Sequence, residues 1–217
     1  PPPARAALPA TAFLSQILHD KLNVRKLVIG YDNRFGHNRA EGFDDYVQYG
    51  RDLGIEVIQA HPFEISGVKV SSSVVRAFLN GGEVEMAKRC LGRPFMLSGT
   101  VVRGFQEGRK MGFPTANLQT AEGLLIPADG VYAVKVKVCD TGKWLPAMTN
   151  IGTRPTFHGT ARTLETHIFD FDRDIYGAPM TVGFIRRIRG ERMFDGEHAL
   201  AEQLRKDEQE IRKILKQ

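Results

Sequence analysis

Apolar residues in this chain change their period once, at about Pro94. Before it they recur at helical spacing or in short solid runs; after it they alternate with polar residues. Phe13, Leu14, Ile17, Leu18 and Leu22 share one helical face, with Thr11 placed to cap its start. Leu27-Val28-Ile29 is a continuous apolar run, the pattern of a parallel strand buried on both faces. Residues 43–53 read as a helix stopped by Gly54, and Ile55-Glu56-Val57-Ile58 as the next strand. Helix, strand, helix, strand predicts an α/β layer. Two short helices follow at 73–79 and 83–91, the second ended by Gly92 and Pro94.

Beyond that point Val134, Val136 and Val138 alternate with Lys135 and Lys137, a period-two strand with one wet face. Short strand-like runs recur at 97–103, 143–150, 163–169 and 181–188, punctuated by glycine, proline and aspartate. Evenly spaced short strands of this kind predict an antiparallel barrel. A helix after Asp195 carries an apolar stripe of Leu200, Leu204, Ile211 and Leu215, suited to packing on that barrel. The pattern therefore divides the chain between Leu91 and Phe95, into residues 1–91 and 92–217. The opening Pro1-Pro2-Pro3-Ala4-Arg5-Ala6-Ala7 has no periodicity and reads as a tail or junction.

With 217 residues, 42% hydrophobic and 25% charged, both parts have the length and composition to bury a core. No apolar run is long enough to cross a bilayer, and the first residues lack a secretory pattern. Cys90 and Cys139 form no ligand spacing with each other or with the six histidines, so reduced thiols and a cytoplasmic setting are expected. The net charge of +5 is scattered and lacks interleaved aromatics, which argues against a nucleic-acid platform. Its densest cluster, Arg186-Arg187-Ile188-Arg189, reads as a solvated strand edge. Neither a nucleic-acid nor a membrane partner is expected, and a monomer is the favoured state.

Residues 99–118, GTVVRGFQEGRKMGFPTANL, concentrate the candidate chemistry. Gly99, Gly104, Gly108 and Gly112, with the cations Arg109 and Lys110, suit a backbone cradle for polyphosphate. Thr115 and Asn117 are two residues apart, so in an extended strand they share a face and would reach one hard cation. Glycines alone read equally as a turn cluster. No G-K-[ST] triplet follows them, and no H-R-D or D-F-G element occurs, so this is neither a P-loop nor a protein kinase.

The joined tract resembles the riboflavin kinase signature. Asn150-Ile151-Gly152-Thr153-Arg154-Pro155-Thr156-Phe157, Leu164-Glu165-Thr166-His167-Ile168-Phe169 and Asp174-Ile175-Tyr176-Gly177 are similar to further blocks of that family. Upstream, Val28-Ile29-Gly30-Tyr31-Asp32-Asn33-Arg34-Phe35-Gly36 and Ser71-Ser72-Ser73-Val74-Val75-Arg76 resemble later motifs of the FMN adenylyltransferase domain, which bacterial bifunctional FAD synthetases fuse to riboflavin kinase. The likeness runs from about Leu8 to the end, with motifs in the same order. It implies an α/β nucleotidyltransferase-like (Rossmann-like) piece over 1–91, the C-terminal part of the adenylyltransferase domain. Over 92–217 it implies the kinase domain, an all-β, Greek-key-like antiparallel barrel with a C-terminal helix.

The implied reaction is phosphorylation of riboflavin to FMN by ATP with Mg²⁺. Glu165 takes the role of catalytic base, while Thr115 and Asn117 hold Mg²⁺ and phosphate oxygens. The bland reading of Glu165 is an outward carboxylate balanced by Arg162. Arg154, an arginine before a proline, suits an anion or a surface ion pair, and Thr156 is given no role; His167 lines the site or merely packs there, and Phe113 covers a ring or belongs to the core. Asp32, Arg34, Ser72, Ser73 and Arg76 carry over as a nucleotide-binding remnant, although the serines also read as a helix cap. The family's H-x-G-H element does not occur in these residues, so adenylyl transfer is expected of a longer parent rather than of this chain. A non-catalytic flavin- or nucleotide-binding module is the alternative; a pure binder would have no use for the base.

Overall fold

The computed structural model describes residues 8–65, 67–104, 107–138, 142–156 and 159–216. The tail 1–7, Cys139 and Phe157 lie outside the described residues. Two compact units divide at Lys69/Val70.

In the first unit, helix α1 (Ala10–Ala12) runs on as a π-helical segment, Phe13–His19. The helix opens at Pro9, whose φ of −56° is preset by its ring, so Thr11 lies inside it and is not the cap that was expected. Strands β1 (Lys26–Gly30) and β2 (Glu56–Ala60) pair in parallel from Lys26↔Glu56 to Gly30↔Ala60, with helix α2 (Phe43–Leu53) between them in sequence. This is the α/β layer that the periodicity predicts. Gly54, at φ 67°, ends α2 in the left-handed conformation. Ala10, Leu14, Ile29, Tyr46 and Ile55 form the core. Val28 is 60% exposed, so β1 has one wet face and not the two buried faces expected; the core elements cover only the Ile29 side. Tyr46 donates from its hydroxyl to the Phe35 carbonyl at 3.0 Å and stacks on the Phe35 ring at 4.2 Å, which fixes the loop after β1. A short hairpin, β3 (Glu64–Ile65) and β4 (Val68–Lys69), follows.

The second unit opens with α3 (Ser72–Asn80) and α4 (Val84–Leu91), then β5 (Phe95–Val102), the short helix α5 (Glu107–Lys110) and β6 (Ala116–Thr120). Strands β7 (Gly130–Val138), β8 (Leu145–Thr156), β9 (Gly159–Ile168) and β10 (Pro179–Arg189) precede the terminal helix α6 (Glu197–Leu215). The six strands β5–β10 close into an antiparallel barrel in the order β10-β5-β6-β9-β8-β7. Placing β6 beside β9 instead of β7 is the Greek-key step. The interior is built from Leu97, Leu118, Tyr132, Val134, Val136, Leu164 and Phe184, among others. Leu79, Val84 and Ala87 belong to that same core, so α3 and α4 fold with the barrel.

Helix α6 lays Leu204, Ile211 and Leu215 over Val131, Ala133, Met148 and Phe169 on the outside of the barrel, as its stripe predicts. The arginine cluster is not a solvated edge, because β10 is laddered to β5 and β7 and its arginines are anchored. Arg186 meets Glu85 at 2.9 Å, Arg187 donates to the Asp129 carbonyl at 2.6 Å, and Arg189 meets Asp207 at 2.8 Å. No helix among the described residues is long and apolar enough to cross a membrane. Cys90 is a free, half-buried thiol.

Candidate active site

Strand register assembles the site. Asn117 on β6 lies opposite Glu165 on β9, which lies opposite Asn150 on β8; Asn150 then faces Val131 on β7, and Val131 faces Arg189 on β10. Residues opposed in an antiparallel ladder project to the same side. The adjoining row, Ala116, Thr166, Thr149 and Tyr132, points inward: Thr149 and Thr166 are fully buried and their hydroxyls bond at 2.7 Å. Asn117, Glu165 and Asn150 therefore stand on the outer face, the one α6 partly covers.

Glu165 and Asn150 of this row line one cavity, and a second shares Thr115 with it and reaches the inward row at Ala116 and Thr166. One, of about 530 Å³, is lined by Glu165, Asn150 and Arg189 and walled by Met111, Phe113, Phe194 and Leu204. The other, of about 400 Å³, is lined by Arg109, Ala116, Phe171, Asp174 and Tyr176. Thr115 lines both. The first is a mostly apolar slot with an acid and an amide among its lining; the second mixes two arginines, Arg109 and Arg173, with two acids, Asp172 and Asp174, and the Thr115 hydroxyl.

The glycines of the tract serve different needs. A Cβ on Gly104 would fall 2.2 Å from Asn117 Nδ2, so the bare backbone there makes room for the carboxamide. One on Gly108 would meet the Phe113 carbonyl at 2.4 Å and Thr115 Cγ2 at 3.5 Å. Gly112 turns the chain at φ 84°. Gly99 sits inside β5, where a side chain would strike the Gln119 carbonyl at 2.1 Å; strand approach accounts for it. Arg109 is exposed at the second cavity. The side chains of Lys110, Arg154 and Thr156 lie outside the described part of the structure.

Glu165 is half-buried, and Arg162 does not balance it: Arg162 donates to Asp129 Oδ1 at 2.9 Å and to the Ile126 carbonyl at 3.0 Å. Phe113 is both core and cavity wall, 6% exposed with His167 edge-on at 5.3 Å. His167 likewise lines the cavity and packs, with Nδ1 2.8 Å from the Pro114 carbonyl. The described residues contain no group of three His, Cys, Asp or Glu side chains that could hold a metal ion.

Asn150, Arg189 and Asp207 join the site through pairing and packing, which no local pattern signals. Asp207, midway along α6, is 1% exposed and accepts from Arg189 at 2.8 Å and from Gln203 at 2.7 Å, which fixes the helix to the row. Nearer the C-terminal end Arg212 clamps Asp170 at 2.7 Å, and that hydrogen bond holds the Asp170 carboxyl below the usual carboxylate range. Tyr132 behind the row is pushed up by burial, against the pull of Arg187.

In the α/β unit a cavity of about 420 Å³ brings Asp32 and Arg34 together with Tyr31 and Gln59, beyond the carboxyl ends of β1 and β2. Ser72, Ser73 and Arg76 belong to the other compact unit. There Ser71 caps α3 by accepting from the Val74 N–H at 3.3 Å, and Arg76 reaches the Ser72 hydroxyl at 3.4 Å.

A family model described as riboflavin kinase matches residues 91–215, and one described as FAD synthetase matches residues 3–74. The bifunctional riboflavin kinase/FMN adenylyltransferase of Escherichia coli K12 is 38% identical over 97% of this chain and 66% of its own length. The enzyme of that name from Pseudomonas fluorescens is 39% identical over 89% of this chain and 62% of its own. The chain thus spans about two thirds of the length of these curated relatives. A crystal structure from Streptococcus pneumoniae, described as a macrolide-efflux protein, superposes with a TM-score of 0.86 at 36% identity, over 95% of this chain and 66% of that one. With its barrel and terminal helix inside the first match and its α/β unit inside the second, this chain belongs to the riboflavin kinase family and carries an FAD synthetase segment ahead of it.

Proposed function

We propose that this chain transfers the γ-phosphoryl group of ATP to the terminal ribityl hydroxyl of riboflavin, giving FMN and ADP. The observation that carries this reading is the outer row Asn117–Glu165–Asn150, of which Glu165 and Asn150 line a cavity that shares Thr115 with a second one. The apolar slot against α6 suits the isoalloxazine ring, with its sugar chain running toward Glu165. The cavity with Arg109 suits the nucleotide, its phosphates meeting the flavin hydroxyl at Thr115.

Phosphoryl transfer asks mainly for positioning and charge neutralisation. The Glu165 carboxylate orients the ribityl hydroxyl and accepts its proton as the oxygen attacks phosphorus. Arg109, Lys110 and the Gly104–Gly108–Gly112 loop hold the phosphates. A hydroxyl and an amide oxygen are donors that suit Mg²⁺, and the space left by Gly104 for the Asn117 amide fits such a role. Thr115 and Asn117 would hold the ion together with phosphate oxygens, and it would supply charge neutralisation. The Phe113 and Leu204 walls keep water from competing as the acceptor.

The kinase domain of this reading begins near Leu91, and the preceding residues are the C-terminal part of an adenylyltransferase domain. Within it Asp32 and Arg34, at the cavity beyond β1 and β2, would serve a nucleotide. A cytoplasmic monomer acting on small molecules is the state proposed. Incubation with riboflavin, ATP and Mg²⁺, followed by chromatography of the fluorescent flavins, tests all of this. FMN alone is the expected product. FMN followed by FAD would return adenylyl transfer to this chain, and no FMN from folded protein would leave a binding module.

A further inference from the structure

We propose that His167 is a positioning residue that sets Thr115, the side chain shared by the two cavities; this rests on the kinase reading above. The β6–β9 ladder contains two pairs, Ala116↔Thr166 and Asn117↔Glu165, and stops short of Thr115. It stops at a proline: Pro114 has no N–H to donate, so strand pairing cannot run on through it. The His167 side chain takes over from the ladder, with Nδ1 2.8 Å from the Pro114 carbonyl oxygen. A carbonyl only accepts, so Nδ1 is the donor.

The imidazole is itself held. Phe113 meets it edge-on at 5.3 Å and Phe169 lies tilted at 5.8 Å. On the far side of the same turn, the Phe113 N–H donates to the Gly108 carbonyl at 2.8 Å. The segment 113–115 is thus fastened at two points, by the glycine loop on one side and by His167 on the other. Thr115 Cγ2 sits 3.5 Å from where a Cβ on Gly108 would lie, so the threonine lies beside that loop. Loss of the imidazole bond frees one of the two points, and a displacement of about 1 Å at a reacting site costs on the order of 10²-fold. His167 and Glu165 project from the same face of β9, so one strand carries the base and the device that fixes its partner.

Two variants separate positioning from packing. His167→Phe keeps an aromatic ring and removes the donor; His167→Asn keeps an N–H near the Nδ1 position. His167→Phe is expected to lower kcat/KM for MgATP about 10- to 100-fold while riboflavin affinity, read by fluorescence without ATP, changes less than about threefold. His167→Asn is expected to stay within about fivefold of the parent protein. Equal activity in both variants, equal loss in both, or a loss confined to riboflavin affinity would overturn the proposal. Amide hydrogen exchange of residues 111–118 reads the same device without catalysis. It should accelerate about tenfold or more in His167→Phe only, and unchanged exchange there would also overturn it. If the parent protein makes no FMN, the kinase reading fails, and the exchange experiment still decides the role of His167.

Discussion

Replacing Gly104 with alanine should disable the site while sparing the fold. An added Cβ would lie 2.2 Å from Asn117 Nδ2, 2.6 Å from Cγ and 2.8 Å from Oδ1. Relief to an ordinary contact of roughly 3.5 Å requires a shift of about 1 Å or more. The cheapest atoms to move are those of the carboxamide, which is the group proposed to face Mg²⁺ and phosphate. The backbone at Gly104 is outside the left-handed region, so alanine brings no φ strain and even restricts the unfolded chain slightly. Stability should therefore change by less than about 1 kcal/mol. A displacement of this size should lower kcat/KM for MgATP by about 10²-fold, or ~2.7 kcal/mol of transition-state stabilisation. The assay is steady-state FMN formation at saturating riboflavin, alongside urea denaturation. A double-mutant cycle with Asn117→Ala sharpens it: if Gly104→Ala acts through the amide, it costs little more once the amide is gone. Activity within about threefold of the parent protein, or full additivity with Asn117→Ala, would refute the reasoning.

Three other consequences are measurable by denaturation. Leu79→Ala, at 1% exposure in the barrel core, should destabilise the second unit by about 2–5 kcal/mol in urea; no effect would mean that α3 is a separable linker. Asp207→Ala should cost about 3 kcal/mol, because it strands the Arg189 guanidinium against α6, and a neutral result would remove that anchor from the account. Asp170→Asn should make stability less dependent on acid. The native carboxyl titrates below its ordinary value of 3.8, so its contribution is present above that pH and fades as pH falls through the lowered native value. The gap in melting temperature between parent and variant should be steady near neutrality and close below about pH 4; a gap that widens in acid contradicts the sign.

Local signals carried the elements, and only pairing revealed the site. Helix α2 occupies residues 43–53 as read because a glycine suited to a left-handed cap stands directly after it. The α6 stripe was legible because a 3.6 period survives any tertiary arrangement. The two-residue spacing of Thr115 and Asn117 places them on one face, while Glu165 stands out only through the family motif, since nothing local distinguishes a base from a wet-face glutamate. Asn150 entered with the register, which turns and barrel closure set and no single strand encodes. The β10 arginines differ from the solvated edge expected of them for a related reason: a cation's neighbour in sequence is rarely its partner in space, and Glu85 and Asp207 supply partners from distant segments, as Asp129 does for Arg162. The change of period at Pro94 is real, yet the packing boundary falls at Lys69/Val70, because α3 and α4 keep helical spacing while burying Leu79, Val84 and Ala87 against strands.

The central claim is that the carboxylate facing Asn117 and Asn150 drives transfer to riboflavin. Its most direct test compares FMN formation by the parent protein and by Glu165→Gln, with riboflavin binding measured in parallel. FMN is expected from the parent protein, with a loss of about 10²–10⁴-fold in kcat for the variant and riboflavin affinity within about threefold. Parent-like turnover from a folded Glu165→Gln protein would contradict it.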